Sequence, residues 1–275
     1  MDDHACPLTF WDLPEEDPSF ARVFSYLSGG KDFGRADQRV GDAMIAALPV
    51  FPRMVLECRA FLRRAVRYLV AELGVTQLVE VGCGFPVAVG NVHETAQAVD
   101  PSARVVYVDN DEVVLAHCRA LMRISPEGAG PLGRIAVVAG DARAPKLLLD
   151  DPQVREVLDW DRPIALLLVA TMECVDDEDA QRLVATLVEA LPAGSYLVVG
   201  QASADFDPEP AHAAVAAAGQ AGLAYHLRSH TQLTSLLNGL EVLEPGVVPM
   251  PAWRPSITPS DPYEVPAYAA LARKP

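Results

Sequence analysis

Gln77-Leu78-Val79-Glu80-Val81-Gly82-Cys83-Gly84-Phe85-Pro86 is the stretch whose reading decides the fold. It begins as a short strand-forming run and ends in two glycines one residue apart. A strand that runs into closely spaced glycines exposes backbone that side chains would otherwise shield from a ligand. Read alone, the pair could equally make a structural turn. The dinucleotide fingerprint would need a third glycine at position 87. This chain has Val87 there, so nicotinamide binding, and an NAD-dependent oxidoreductase with it, is disfavoured.

Outward from this stretch the pattern repeats. Arg104-Val105-Val106-Tyr107-Val108 is a second run, ending in Asp109-Asn110-Asp111. A carboxylate at Asp109 could accept hydrogen bonds from both ribose hydroxyls of an adenosine, although Asn110 or Asp111 could also cap a helix there. A third run, residues 135–139, leads into Gly140-Asp141-Ala142, where Asp141 could accept from an adenine amine or simply serve a turn. Three such features at successive strand ends, in this order, place an adenosine across the topological switch point of a sheet.

Further strand candidates are residues 164–170 and 196–200, and helical patterns cover 92–99, 111–124 and 177–191. The alternation predicts right-handed βαβ units and a parallel, doubly wound α/β sheet. Continuous apolar runs such as 164–169 suit central strands covered on both faces. The last quarter changes rhythm, with helical patterns at 210–223 and 231–237 and a strand at 240–243. A connection rich in proline, from Pro245 to Pro266, then leads to a final strand at 267–272. That order suits an antiparallel hairpin at a sheet edge. Three helical patterns precede the core: 18–28, ending at Gly29-Gly30, then 35–48 and 52–74. The expectation is one domain over 1–275, with 1–74 as a helical N-terminal cover and 75–275 as the α/β core.

Composition narrows the partners. The 275 residues are 51% hydrophobic and 21% charged, with a formal net charge of −15. Such an acidic chain is repelled by nucleic acid and by anionic membrane, so neither is an expected partner. Five cysteines, at 6, 58, 83, 118 and 174, form no Cys-x-x-Cys pair and fit reduced, mostly buried thiols. The acidic N-terminus lacks the features of a signal peptide, and the longest apolar run is about half of a membrane span. A cytoplasmic monomer or homodimer is expected. His212, His226 and His230 lack metal-ligand spacing, His117 falls within a helical pattern, and no metal site is expected.

The order of motifs resembles the class I S-adenosylmethionine (SAM)-dependent methyltransferases. Whole stretches are similar to a narrower bacterial family, the S-adenosyl methyltransferases, whose acceptors are mostly unassigned. They include residues 22–32 (RVFSYLSGGKD), 61–69 (FLRRAVRYL), 90–99 (GNVHETAQAV), 105–118 (VVYVDNDEVVLAHC), 165–171 (ALLLVAT) and 239–249 (GLEVLEPGVVP), with Trp253-Arg254-Pro255. The resemblance covers nearly the whole chain. It implies a Rossmann-like seven-stranded sheet and SAM as cofactor, held by the loop from Gly82 to Gly84, by Asp109 and by Asp141. Asn91, Asn110 and Ala142 join the candidate cofactor set. Tyr26, Gly30 and Lys31 join it from a segment expected to form a lid. Two departures stand out. The family often has Asp-Ile-Gly-Thr-Gly-Leu-Pro-Thr where this chain runs from Glu80 to Val87, and it usually has a His where this chain has Glu173.

Methyl transfer is an in-line displacement that needs alignment and sometimes a base. Glu173, Tyr26 and His93 are the candidates for the acceptor side. Val169-Ala170-Thr171-Met172 lacks the Asn/Asp-Pro-Pro-aromatic arrangement associated with amino methylation of bases. With the acidic surface, this favours a small organic acceptor. A SAM-binding regulatory or partner-binding protein without activity is the alternative.

Overall fold

A computed structural model describes residues 17–122 and 134–275. Five parallel strands form its centre: β1 (Gln77–Val81), β2 (Arg104–Asp109), β3 (Ile135–Ala139), β4 (Ala165–Val169) and β5 (Tyr196–Ala202). Later in the chain come β6 (Glu241–Val242), β7 (Val248–Pro249) and β8 (Ala267–Arg273). The strand order is β3-β2-β1-β4-β5-β8-β6, with β7 also paired to β8. The order reverses between β1 and β4, and side-by-side strands that lead off in opposite directions there open a crevice at their carboxyl ends.

The doubly wound, mostly parallel sheet is the expected one, but it has eight strands where seven were expected. The last strand is not the edge: β8 runs antiparallel to β5 along its full length, Tyr196 facing Arg273 and Ala202 facing Ala267. The true edge is divided into β6 and β7, which pair successive stretches of β8's other side. Pro249 ends β7 at that edge, where a missing N–H breaks no ladder.

Side-chain alternation sends Leu78, Val105, Tyr107, Val137 and Leu167 to one core and Val79, Val106, Val108, Leu166 and Leu168 to the other. Helices cover both faces, which is why these strands are mostly apolar, with the buried Gln77, Glu80, Asp109 and Gln201 as exceptions. On the first face lie α1 (Phe20–Leu27), α2 (Arg35–Ala47), α3 (Phe51–Ala71), α4 (Val92–Gln97), α5 (Glu112–Leu121) and, after β5, a helix over Pro208–Gln220. The opposite face carries α6 (Pro145–Asp150), α7 (Pro152–Val157) and α8 (Asp177–Ala190), so the Pro208–Gln220 helix is α9 and His230–Leu236 is α10. Residues 122–124 at the end of the expected helix 111–124 lie partly outside the described residues.

The cover is tied to the core by polar contacts rather than by packing alone. Ser19 caps α1, and its Oγ donates to Asp111 at 3.0 Å, the residue that caps α5. Arg22 bonds Asp37 at 3.0 Å and lies 3.7 Å from Asp111. The buried Asp37 also accepts the N–H groups of Ser19 and Gly34, fixing the turn between α1 and α2. His117 on α5 stands 3.4 Å from Asp32. The cover is therefore anchored next to the end of β2.

Candidate active site

A cavity of about 1080 Å³ opens at the carboxyl ends of β1, β2, β3 and β4, roofed by α1 and walled on one side by α3. Its floor begins where β1 ends. Gly82 and Gly84 both take positive φ, 70° and 62°. A side chain at Gly82 would collide with Thr171, whose Cγ2 lies 2.8 Å from where a Cβ would stand. The hydroxyl of Thr171 donates to the carbonyl of Val81 at 2.5 Å, so β4 holds the glycine turn against itself. Ala170, just before, sits at φ 59°, a left-handed conformation that costs an alanine strain and turns the chain into the cavity.

From α3, Arg59 reaches across to the carbonyls of Cys83 and Phe85 at 3.3 and 3.1 Å, and lies 3.9 Å from Glu80. Burial pushes the Glu80 carboxyl up to about 7, with Arg59 pulling the other way. At the end of β2, Asp109 accepts the N–H of Gly84 at 2.9 Å and that of Asp111 at 3.0 Å. Burial also raises this carboxyl, against the pull of those donors. Asp141 is held differently. Arg143 grips both its oxygens, and Asn110 donates to it at 3.4 Å. The Arg143 contact holds the Asp141 carboxyl down at about 2.

Glu173 lies in a short 3-10 turn after β4 and is 1% exposed. Its Oε1 accepts the N–H of Ala202 at 2.8 Å, while Oε2 is buried with no partner. Burial pushes this carboxyl up to about 7, opposed by the Ala202 N–H, its own backbone N–H and the Arg228 charge. Arg228, also 1% exposed, locks the turn by donating to the carbonyls of Met172 and Val175 at 2.6 and 2.8 Å and pairing with Asp177 at 3.0 Å.

The cavity wall brings together Gly82, Gly84, Asp109, Asn110, Asp141, Ala142, Gly30 and Glu173. Four other sequence-predicted residues lie elsewhere. Tyr26 turns to α2, where its hydroxyl donates to Asp42 and its ring covers Gly41, whose absent Cβ leaves the space it fills. Lys31 is exposed on the outer surface. Asn91 closes the loop after the glycines, exchanging hydrogen bonds with the backbone of Val87 at 3.0 and 2.8 Å. His93 is buried in the first turn of α4, where its backbone N–H and its ring Nδ1 both meet the Tyr107 hydroxyl at 2.8 Å. Tyr26 and His93 thus do not line the cavity, and Asn91 shapes the loop beside it.

Sequence reasoning passed over Arg59, Arg143, Arg228 and Tyr225. Arg59 sits in an arginine-rich helix and reads as a solvated position, and nothing local marks Arg228 as buried. The thiols Cys58, Cys83, Cys118 and Cys174 are free. Of these, Cys83 and Cys118 are buried, Cys58 is half-buried and Cys174 is exposed where it meets the cavity, so thiol burial is less uniform than expected; Cys6 lies outside the described residues. Among the described residues, no group of three His, Cys, Asp or Glu side chains could hold a metal ion, and no helix is long and apolar enough to cross a membrane.

The family model for "S-adenosyl methyltransferase" matches residues 11–275. The chain belongs to this family. A DUF574 family protein from Streptomyces avermitilis has a similar structure, with 37% identity, a TM-score of 0.89, and coverage of 95% of this chain and 99% of that one. A candidate methyltransferase from Thermobifida fusca gives 34% identity, a TM-score of 0.86, and coverage of 94% and 96%. The SAM-bound magnesium protoporphyrin IX methyltransferase of Synechocystis shares the fold at 13% identity, with a TM-score of 0.51 and coverage of 92% and 90%. No curated protein matches. The chain is a SAM-dependent methyltransferase on a Rossmann-like sheet.

Proposed function

We propose that this methyltransferase acts on a small organic acceptor enclosed with SAM in the cavity beneath α1. Gly82, Gly84, Asp109, Asn110, Asp141 and Ala142 hold the cofactor, with Gly30 closing from the cover. In this reading residues 75–275 form the cofactor-binding core of one domain, and the helices within 1–74 are its cover. Fit with the cofactor rests on the cradle: Gly82 and Gly84 turn the backbone with positive φ at the end of β1, and Asp109 Oδ1 keeps a lone pair beyond the Asp111 N–H it already accepts. Asp141 is already occupied by Arg143 and Asn110, so an adenine amine would take the place of one of those donors. When bound, SAM supplies an activated methyl group on a sulfonium sulfur. The protein's own part is to fix that group and the acceptor in line and to exclude water.

The observation that carries the acceptor class is the size and lining of the cavity. About 1080 Å³ lies at the upper end of small-molecule pockets, which run to roughly 1,000 Å³. Phe20 and Phe24 of α1 add apolar surface to its lining, which suits a small organic body. The net charge of −15 also repels nucleic acid. Calorimetric titration should show saturable binding of SAM and none of NAD. Incubation with methyl-labelled SAM and a bacterial lysate should place label in the small-molecule fraction. Label confined to protein, DNA or RNA would overturn the acceptor class.

A further inference from the structure

Beyond the strand ends, the cavity continues into a compartment of different character. Phe20 and Phe24 of α1, Met54 and Cys58 of α3, and Tyr225 line it together with Glu173. The aromatic side chains touch one another: Phe20 and Tyr225 centroids are 5.4 Å apart, and Phe24 meets Tyr225 edge-on at 6.4 Å. Against these apolar walls stands one buried oxygen without a partner, Glu173 Oε2. A buried carboxylate oxygen left unpaired is costly, and a ligand that donates to it removes the cost.

We infer that this compartment is the acceptor subsite and that Glu173 Oε2 accepts a hydrogen bond from a neutral aromatic hydroxyl. The inference rests on the methyltransferase reading and names its acceptor chemistry. Aromatic walls favour a flat apolar body. An anionic acceptor would meet the Glu173 carboxylate, and that carboxylate's charge is already partly matched by the buried Arg228, so a neutral donor fits best. The Cys58 thiol and the Tyr225 hydroxyl are raised by burial first and then by the Glu173 charge, so they stay neutral and leave Glu173 as the group against these walls able to take a proton. The acceptor oxygen forms its bond to the methyl carbon with its own lone pair and gives its proton to Glu173. The electron pair of the broken carbon–sulfur bond stays on sulfur.

The test uses full-length protein saturated with S-adenosylhomocysteine, titrated with 2-naphthol, naphthalene and 2-naphthoate. In the wild type, 2-naphthol binds at least ten-fold more tightly than the other two, and Glu173→Leu removes that preference. Equal affinities in the wild type, or a preference that survives in Glu173→Leu, overturns the inference. Glu173→Gln keeps an acceptor oxygen and guards against misfolding of the leucine variant. It binds 2-naphthol within about three-fold of wild type, but methyl transfer from labelled SAM falls at least 100-fold, the usual scale for losing a general base. Wild-type transfer rises with pH through about 7, the Glu173 value, and that rise disappears in Glu173→Gln. Transfer by Glu173→Gln at the wild-type rate overturns the proton-accepting role. Failure to bind S-adenosylhomocysteine at all would instead sink the methyltransferase reading itself.

Discussion

Glu173→Gln should make the protein more resistant to unfolding at alkaline pH than at acid pH, relative to wild type. In the folded chain the Glu173 carboxyl is raised from 4.5 to about 7 by burial. The folded state then holds its proton more tightly than the unfolded chain between those values, so wild-type stability falls as pH rises from 4.5 to 7. A rise of about 2.5 pH units, at about 1.4 kcal/mol each, amounts to about 3 kcal/mol. The Gln variant carries no such dependence. Its amide still accepts the Ala202 N–H but leaves a buried N–H without a partner, a cost of about 1–3 kcal/mol that does not vary with pH. The measurable quantity is therefore the change in the difference, not its absolute sign.

The groups around Glu173 do not confuse the reading. Cys58, Cys174 and Tyr225 all titrate above their ordinary values. Glu80 and Asp109 titrate alike in both proteins and cancel. Urea denaturation of both proteins from pH 4 to pH 8 should show the difference moving by about 3 kcal/mol in the variant's favour. In thermal scans that is a relative gain of about 6–12 °C. A difference constant to within 1 kcal/mol across the range would refute the raised carboxyl and the unpaired oxygen behind it.

Three further outcomes follow from the strand ends and the cover. Gly82→Ala forces a Cβ against Thr171 at φ 70°, so calorimetry should show SAM affinity reduced at least ten-fold in a protein that still folds. Asp109→Ala should weaken SAM by about 2–3 kcal/mol, the scale of charged hydrogen bonds lost in a buried site; unchanged affinity would leave Asp109 as a loop-holding residue only. Hydrogen exchange should show α1 gaining protection when SAM binds, because Ser19 anchors it to Asp111 beside the cofactor loop. Equal protection with and without SAM would make the cover a fixed roof.

The strands were legible because each parallel strand is a continuous apolar run with a turn motif at its end, and such a motif acts through its own backbone. The helices α6 and α7 were not, because six residues after a proline are too few for a helical period to register. At the site, local chemistry was legible and direction was not. Phe24 lines the cavity, but Tyr26, two residues further along the same helix, is rotated by about 200° and faces α2. Proximity to the Gly-Gly-Lys-Asp motif therefore said nothing about where Tyr26 points. Arg59, Thr171 and Arg228 act through carbonyls distant in sequence, and an arginine that satisfies carbonyls looks, in one dimension, like any solvated arginine.

What these residues have in common is a cost in stability. Glu80 and Glu173 are both buried with carboxyls pushed up to about 7, Asp109 is raised beside them, and Ala170 holds a left-handed turn. Each would be improved for stability alone by a neutral residue, or at Ala170 by a glycine. They cluster at the carboxyl ends of β1, β2 and β4, while both cores beneath are apolar and closely covered. Such local violations at one crevice, in a chain otherwise consistent from pattern to packing, are what a binding site costs a fold. They also separate the two halves of the cavity. Asp109 and Asp141 stand among polar donors at the strand ends, which suits a polar nucleoside. Glu173 has one oxygen satisfied and one bare among aromatic walls, which suits a ligand that brings a single donor.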